Sequence, residues 1–204
     1  MRIITVSREF GSGGRVLGRK IADILGYDYY DREIISTLAR ENGMDEQYLE
    51  QMLPGHQWST LPLSMKKCFS PSASIRNSSV SLLVKEKEVI RNIAAKGRNC
   101  LIVGRNADWY LQDYDPLNIF VCASMESKIR RCMERQGETD RMSEKDMEKF
   151  IRSVDKNRRM AREVIAGNTW GCSSTYHLTL NTTGCDLDRL ARSASDFIIA
   201  WFAE

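Results

Sequence analysis

Short apolar runs and longer amphipathic stretches alternate along this chain. The apolar runs have the length of buried strands and lie at residues 2–6, 27–30, 100–104, 117–122 and 176–181. The amphipathic stretches repeat their apolar residues at helical spacing and lie at residues 15–25, 31–38, 80–96, 126–136, 143–166 and 186–203. Continuous apolar strands that are separated by helices are typical of a parallel sheet. The pattern therefore predicts an α/β fold of three α/β/α layers around a five-stranded parallel sheet.

Residues 43–79 interrupt this alternation. The segment holds three of the four prolines together with many serine and methionine residues, and it lacks a long periodic pattern. A chain of 204 residues fits one ordinary domain. We therefore expect a single domain over residues 1–204, with an insertion at residues 43–79 and a polar break between two helices at residues 137–143.

Composition and charge argue against several classes of protein. Lys and Arg number 30 against 27 Asp and Glu, and the net charge of +3 is too small for a chain that coats nucleic acid. The six cysteines are scattered without a zinc-binding spacing, so we expect free thiols and a reducing compartment. No apolar run reaches the roughly 18 residues of a membrane helix, and the N-terminus leads directly into a strand. We expect a cytoplasmic protein that binds neither nucleic acid nor membrane.

The turn between the first predicted strand and the first predicted helix is rich in small residues, namely Gly11, Ser12, Gly13 and Gly14. At such a turn, backbone N–H groups and the helix dipole favour a bound phosphate. In the pattern G-x-x-x-x-G-K-[ST], Arg8 takes the place of the first glycine and Gly14 that of the lysine. The guanidinium of Arg15, one residue further on, can supply the missing charge. The alternative is that the glycines serve only a tight connection between strand and helix.

Arginines are concentrated in the second half of the chain. Arg105 follows a predicted strand at its carboxyl end, where ligands of open α/β sheets collect and where a guanidinium can pair with a phosphate. The later helices and the break between them carry Arg130, Arg131, Arg135, Arg141, Arg152, Arg158, Arg159 and Arg162. Arg158 and Arg162 are spaced to share one helical face, so some of these side chains can converge on one anion. The alternative is that most of them form solvated helix faces.

These motifs and their order resemble the cytidylate kinase-like family, a divergent branch of the nucleoside monophosphate kinases, over nearly the whole chain. The segments that carry the resemblance are SREFGSGGRVLGRKIADILG, YYDREI, LIVGRNAD, IFVCASMESKIRRCMERQG, DKNRRMARE and YHLTLNTTGCDLDRL. The resemblance implies a fold of the P-loop nucleoside-kinase type, with residues 43–79 as the acceptor-binding segment and residues 137–143 as the lid. It also implies ATP and Mg²⁺ as cofactors, and a nucleotide or small phosphorylated molecule as substrate.

The family's roles carry over to the residues that agree with its motifs. The resemblance implies that the phosphates of the donor bind at Gly11, Ser12, Gly13, Gly14 and Arg15. It implies catalytic roles for Arg15, Arg131, Arg141 and Arg158. It implies that the acceptor binds at Asp31, Arg105, Asp155, Arg158 and Arg162. The positions that depart from the family's motifs are Gly14, Asn106 and Val103.

The sequence leaves two functions open. The first is an ATP-dependent phosphotransferase of the cytidylate kinase type, which moves a γ-phosphoryl group to a nucleoside monophosphate or another small acceptor. The second is a protein that binds a nucleotide or another anion without catalysing transfer, an alternative that Gly14, Asn106 and Val103 together favour. The sequence identifies neither the ligands of Mg²⁺ nor the oligomeric state.

Overall fold

A computed structural model of the chain describes residues 1–31, 86–136, 142–167 and 170–203. Its strands are β1 (Ile3–Arg8), β2 (Asp28–Tyr30), β3 (Cys100–Val103), β4 (Leu117–Cys122) and β5 (Leu178–Asn181). Its helices are α1 (Gly14–Leu25), α2 (helical over the described residues 86–95), α3 (Ala107–Tyr110), α4 (Met125–Met133), α5 (Glu144–Ala166) and α6 (Leu187–Trp201). Two short 3-10 turns, Gln112–Tyr114 and Ser173–Thr175, complete the described elements.

The five strands form one parallel sheet in the order β2-β3-β1-β4-β5. The first strand of the chain therefore lies in the centre, where Ile3 pairs with Cys100 of β3 and Ile4 pairs with Leu117 of β4. Because all five strands are parallel, their carboxyl ends meet at one edge of the sheet. The predicted five-stranded parallel sheet is confirmed.

Helices cover both faces of this sheet. Ile3 belongs to a buried cluster formed with α2 and α3, whereas Ile4 and Val6 belong to a cluster formed with α1 and α6. Adjacent residues of a strand point to opposite faces, which explains why the consecutive positions Ile3 to Ser7 of the central strand are all buried. The predicted three-layer α/β/α arrangement is confirmed.

Capping residues set the ends of three of the helices. Gly26 ends α1 with a φ of 66°, a left-handed conformation that glycine adopts without strain. Ser143 precedes α5, and its hydroxyl accepts a hydrogen bond from the amide of Asp146. The carboxylate of Asp186 accepts hydrogen bonds from two amides of the first turn of α6.

The observed bounds differ from the predicted ones mainly at strand ends. Strand β1 continues to Arg8 because Ser7 and Arg8 pair with Phe120 and Val121 of β4, although neither of these β1 residues is apolar. Strand β5 begins only at Leu178, since Tyr176 packs its ring against Phe120 instead of joining the ladder.

Several predicted segments lie outside the described residues. They are the insertion 43–79, most of the break at 137–143, and the helix predicted after Asp31. The five cysteines within the described ranges carry free thiols, as expected. Among the helices described, none combines the length and the apolar character that a membrane crossing requires.

Candidate functional site

The turn between β1 and α1 brings its backbone into close contact with two later helices. Gly11 and Gly13 have φ values of 75° and 81°, in the left-handed region that favours glycine. A Cβ atom on Gly11 would lie 2.9 Å from the sulfur of Cys132 in α4, and one on Gly13 would lie 3.2 Å from Cδ1 of Leu187 in α6. Within the described part of the chain, the amides of Gly11 and Gly13 donate to no protein acceptor. The turn thus presents unpaired N–H groups at the start of α1, as a phosphate site requires.

Ser12 fixes this turn from one side. Its buried hydroxyl donates to the carbonyl of Glu9 at 2.8 Å, and its own carbonyl accepts from the hydroxyl of Thr182 at 2.6 Å. Nη1 of Arg131 donates to the same carbonyl of Ser12 at 3.2 Å, and Nη2 donates to the carbonyl of Thr182 at 2.7 Å. Burial lowers the pKa of Arg131, and the nearby Arg130 adds to this effect. In this structure Arg131 ties the turn to the loop after β5.

A buried network of charges fixes the other side of the turn. The carboxylate of Asp155 accepts a hydrogen bond from the amide of Phe10 at 2.7 Å. The amine of Lys128, which is 5% exposed, lies 3.1 Å from the carboxylate of Glu9 and 3.5 Å from that of Asp155. Burial raises the pKa of Asp155, while the Phe10 amide and the cations Arg158 and Lys128 oppose the rise. The network joins α4 and α5 to the turn.

Three arginines come together at the carboxyl ends of β1 and β3. Arg8 is the last residue of β1, and its Nη1 lies so close to Gly104 that a Cβ atom there would collide with it. Gly104, Arg105 and Asn106 have φ values of 83°, 60° and 50° in succession. Left-handed backbone at the two residues that are not glycine is strained, and such strain is concentrated at functional sites. Arg158 of α5 donates from Nη1 to the carbonyl of Arg8 at 3.0 Å.

Burial and mutual repulsion both lower the pKa values of arginines in this cluster. Burial, followed by the positive charges of Arg158 and Arg105, lowers the pKa of Arg8 to about 9. Burial also lowers the pKa of Arg158, although its ion pair with Asp155 at 3.2 Å opposes the shift. Arg105 pairs with the buried carboxylate of Glu86 in α2 at 2.8 Å. The cluster concentrates positive charge beside the glycine turn, so it is suited to bind an anion.

Arg15 lies at the same edge of the sheet as the arginine cluster, but its ion-pair partner is Asp31. Its Nε is 2.8 Å from the carboxylate of Asp31, which is 2% exposed, at the end of β2. The hydroxyl of Tyr29 donates to the backbone carbonyl of Arg15. Burial, with the negative charge of Asp31 adding to it, raises the pKa of Tyr29 to about 12. Arg15 and Asp31, which the sequence assigns to different ligands, are therefore in direct contact.

Two further arginines of α5 have carboxylate partners away from the turn, and Arg141 cannot be placed. Arg162 is buried and forms a two-pronged ion pair with Asp108 of α3, at 2.9 and 2.6 Å. Arg162 thus binds a carboxylate of the protein itself. Its predicted role in binding the acceptor substrate stays a prediction. Arg152 pairs with Glu148 on an exposed face of α5. Arg141 lies outside the described residues.

Sequence reasoning missed three charged residues of the site, Arg8, Glu9 and Lys128. Glu9 and Lys128 carry no motif, and a single lysine on a helix is by default a surface residue. The signal for Arg8 was present, because an arginine stands where the loop pattern has glycine. A side chain at that position has to be accommodated, and here Gly104 makes the room for it.

The residues of the turn fit the phosphates of ATP better than they fit a resident metal. The unpaired amides of Gly11 and Gly13 can donate hydrogen bonds to phosphate oxygens. Within the described ranges, no three His, Cys, Asp or Glu side chains are grouped as a metal site would need. Arg15 stands where the loop pattern has the hydroxyl that binds Mg²⁺. No ligand of Mg²⁺ is therefore assigned.

Comparison with solved structures identifies the fold. An uncharacterized protein from Eubacterium ventriosum superposes with a TM-score of 0.69 at 23% identity, over 98% of each chain. Shikimate kinase from Acinetobacter baumannii, in complex with shikimate, gives 0.54 at 14% identity, over 100% of this chain and 96% of that one. TT1252 from Thermus thermophilus gives 0.58 at 16% identity, over 100% and 98%. At these identities the likeness concerns the fold, which is shared with small-molecule kinases.

Comparison with known sequences identifies the family. A cytidylate kinase from Methanocorpusculum labreanum is 27% identical over 141 residues, which are 69% of this chain and 66% of that relative. This chain thus matches just under two thirds of the relative's length. The model of the cytidylate kinase-like family matches residues 3–184, from β1 through the glycine turn and the arginine cluster to the loop after β5. The chain belongs to the cytidylate kinase-like family.

Proposed function

We propose that this protein is an ATP-dependent phosphotransferase that moves a γ-phosphoryl group to a small phosphorylated acceptor, with a nucleoside monophosphate as the first choice. The observation that carries the proposal is the juxtaposition of the glycine turn with the arginines at the ends of β1 and β3. Phosphoryl transfer needs two anions held side by side, with their charges neutralised. A phosphate-binding turn beside a separate cationic cluster meets both needs.

The residues of the turn hold the donor in this proposal. ATP, when bound, supplies the phosphoryl group, and Mg²⁺ accompanies it through the phosphate oxygens. The amides of Gly11 and Gly13 and the N-terminal end of α1 bind the donor's phosphates. The contacts of Ser12 with Thr182 and Arg131 keep the turn in place, so that its amides are oriented before the ligand arrives.

The arginine cluster holds the acceptor. Arg105 and Arg158 bind its anionic group, and both already lie at the edge of the sheet where such ligands collect. Arg15 and Asp31 form the wall next to the acceptor in this proposal. Arg141 and residues 43–79 and 137–143 complete the acceptor site and the lid in this proposal. The cytidylate kinase relative makes CMP and dCMP the first acceptors to test.

Release of ADP tests the proposal directly. Wild-type protein is incubated with ATP, Mg²⁺ and each of a set of nucleoside monophosphates and small phosphate esters, and ADP is followed by a coupled assay. We expect acceptor-dependent release of ADP. We also expect Gly13→Ala to weaken ATP binding about tenfold or more, because its φ of 81° strains any other residue and its Cβ would crowd Leu187.

Gly26→Ala is the matched control for this variant. Gly26 has a φ of 66° at the other end of α1, and its Cβ would meet nothing within 4 Å. This variant carries similar backbone strain without touching the turn, so ATP affinity should stay within about twofold of wild type. Absence of turnover with every acceptor at high protein concentration would reject the phosphotransferase.

A second function, nucleotide or anion binding without transfer, is favoured by one observation. The position of the loop lysine is Gly14, and the nearest replacement, Arg15, has its Nε bound to Asp31. Calorimetry with ATP would then show binding while no acceptor is turned over. Turnover that is abolished in Arg15→Ala would exclude this second function.

A further inference from the structure

Arg8 occupies a position that no motif assigns to a ligand. Its aliphatic stem packs beneath Gly14, where an added Cβ atom would lie 2.8 Å from Cβ of Arg8. The far end of its guanidinium reaches Gly104 after β3, where an added Cβ atom would collide with Nη1. The head group of Arg8 is thus on the acceptor side of the turn, next to Arg105.

Among the residues that the structure describes, Arg8 is the member of the arginine cluster that lacks an ion-pair partner. Arg15 pairs with Asp31, Arg105 with Glu86, Arg158 with Asp155, and Lys128 with Glu9. Across residues 1–31, 86–136, 142–167 and 170–203, the guanidinium of Arg8 has neither a carboxylate partner nor a hydrogen bond of its own. A partly buried cation without a counter-ion, and next to two other cations, is costly unless an anion joins it.

We propose that Arg8 binds the phosphate group of the acceptor, together with Arg105 and Arg158. The geometry of Gly104 supports this assignment, because the missing side chain and the left-handed φ of 83° leave the space that the guanidinium fills. The ligand class is a phosphate monoester or another compact dianion, since a planar fork of donors suits tetrahedral oxygens and two negative charges balance repelling arginines. The identity of this side as the acceptor side rests on the proposed function.

Phosphate binding in the presence of a filled donor site tests the assignment. Inorganic phosphate is titrated by calorimetry into full-length protein saturated with AMP-PNP, a non-hydrolysable ATP analogue that occupies the donor's positions. We expect millimolar binding to wild type, a loss of about tenfold or more in Arg8→Met, and a change of less than about threefold in AMP-PNP affinity. Arg152→Met is the matched control, because Arg152 is an exposed arginine of α5 that pairs with Glu148, and it should bind phosphate as wild type does.

Variants at Gly104 give an independent readout. Gly104→Ala keeps Arg8 but places a methyl group where Nη1 lies, so phosphate affinity should fall as it does in Arg8→Met. Gly97 has a φ of 71°, and an added Cβ atom there would meet nothing within 4 Å. Gly97→Ala is therefore the control for backbone strain. Arg8→Lys keeps a positive charge and the aliphatic stem that packs on Gly14. Its phosphate affinity should therefore fall less than that of Arg8→Met. A thermal melt checks that the variant is folded.

Clear outcomes would overturn the assignment. No phosphate binding by wild type at millimolar concentration would do so, as would unchanged phosphate affinity in both Arg8→Met and Arg8→Lys. A selective loss of AMP-PNP affinity would instead place Arg8 at the donor. If AMP-PNP itself fails to bind, the proposed function falls, and titration of phosphate into the nucleotide-free protein still decides whether Arg8 holds the anion.

Discussion

Arg8 and Gly104 depend on each other, although they lie 96 positions apart in the sequence. The guanidinium of Arg8 lies where any side chain at residue 104 would have to be. An arginine in place of the first loop glycine is therefore tolerated because a glycine directly follows the neighbouring strand β3. The two residues form one unit of the site, so a substitution of either residue should change the surroundings of the other.

Removing the charge of Arg8 should stabilise the ligand-free protein. Burial and the neighbouring arginines lower its pKa to about 9 in the folded state, so the protonated form costs folding free energy at any pH below about 9. We expect Arg8→Met to raise the free energy of unfolding by about 1 kcal/mol at pH 7 in phosphate-free buffer. The gain should shrink above pH 9, where folded wild type begins to lose the proton.

Urea unfolding at pH 7 and pH 10 measures this effect, with Arg152→Met as the control that changes little. Adding phosphate should reverse the order at pH 7, because the anion stabilises wild type and not the variant. Strong destabilisation of Arg8→Met in phosphate-free buffer at pH 7 would contradict the account of Arg8 as an uncompensated cation.

Among the elements, α5 carries most of the connections between the site and the core. Near its middle, Asp155 and Arg158 contact the glycine turn through the amide of Phe10 and the carbonyl of Arg8. One turn later, Arg162 is buried against Asp108 of α3. A helix that is rich in arginine thus uses its charges in different ways, some for the site and one for attachment to the core.

The ion pair between Asp108 and Arg162 should contribute far more to stability than the pair between Glu148 and Arg152. Both join an arginine of α5 to a carboxylate, but the side chains of the first pair are 3% exposed and those of the second 39% and 65%. Asp108→Ala leaves a buried guanidinium without its partner and should lower the free energy of unfolding by about 3–5 kcal/mol. Glu148→Ala should cost less than about 0.5 kcal/mol. Urea denaturation of both variants compares them, and equal losses would contradict this difference.

The sequence predicted elements better than it predicted partners. Strands and helices follow from local periodicity and from capping residues such as Ser143 and Asp186, whose contacts lie within a few positions. The partners of Lys128 and Arg162 lie on other elements, so no local pattern indicates that both side chains are buried. For the same reason the ion pair of Arg162 with Asp108 of α3 was not predicted from the sequence.

At the scale of the whole molecule, the site draws its residues from nearly the full length of the chain. Arg8 ends β1, Gly104 follows β3, and Thr182 follows β5. The parallel sheet brings these positions to one edge although they are distant in sequence. The site therefore forms only when the central strand has both of its neighbours.

A chain that ends at residue 99 should fail to fold. It contains β1, α1 and β2, but it lacks β3 and β4, the two strands that pair with β1. The apolar residues of β1 would then have no sheet to join, so we expect no cooperative transition in a thermal melt followed by circular dichroism. A cooperative melt of this fragment would contradict the central role of β1.

The position of β1 also bears on how a cell makes this protein. The strand leaves the ribosome well before its partners at residues 100–103 and 117–122, which are synthesised later. At about 5–20 residues per second, Ile3, Ile4 and Val6 stay without a partner for several seconds. During that interval the nascent segment is a substrate for chaperones that bind extended apolar peptides, and slowing translation before residue 100 should lengthen that exposure.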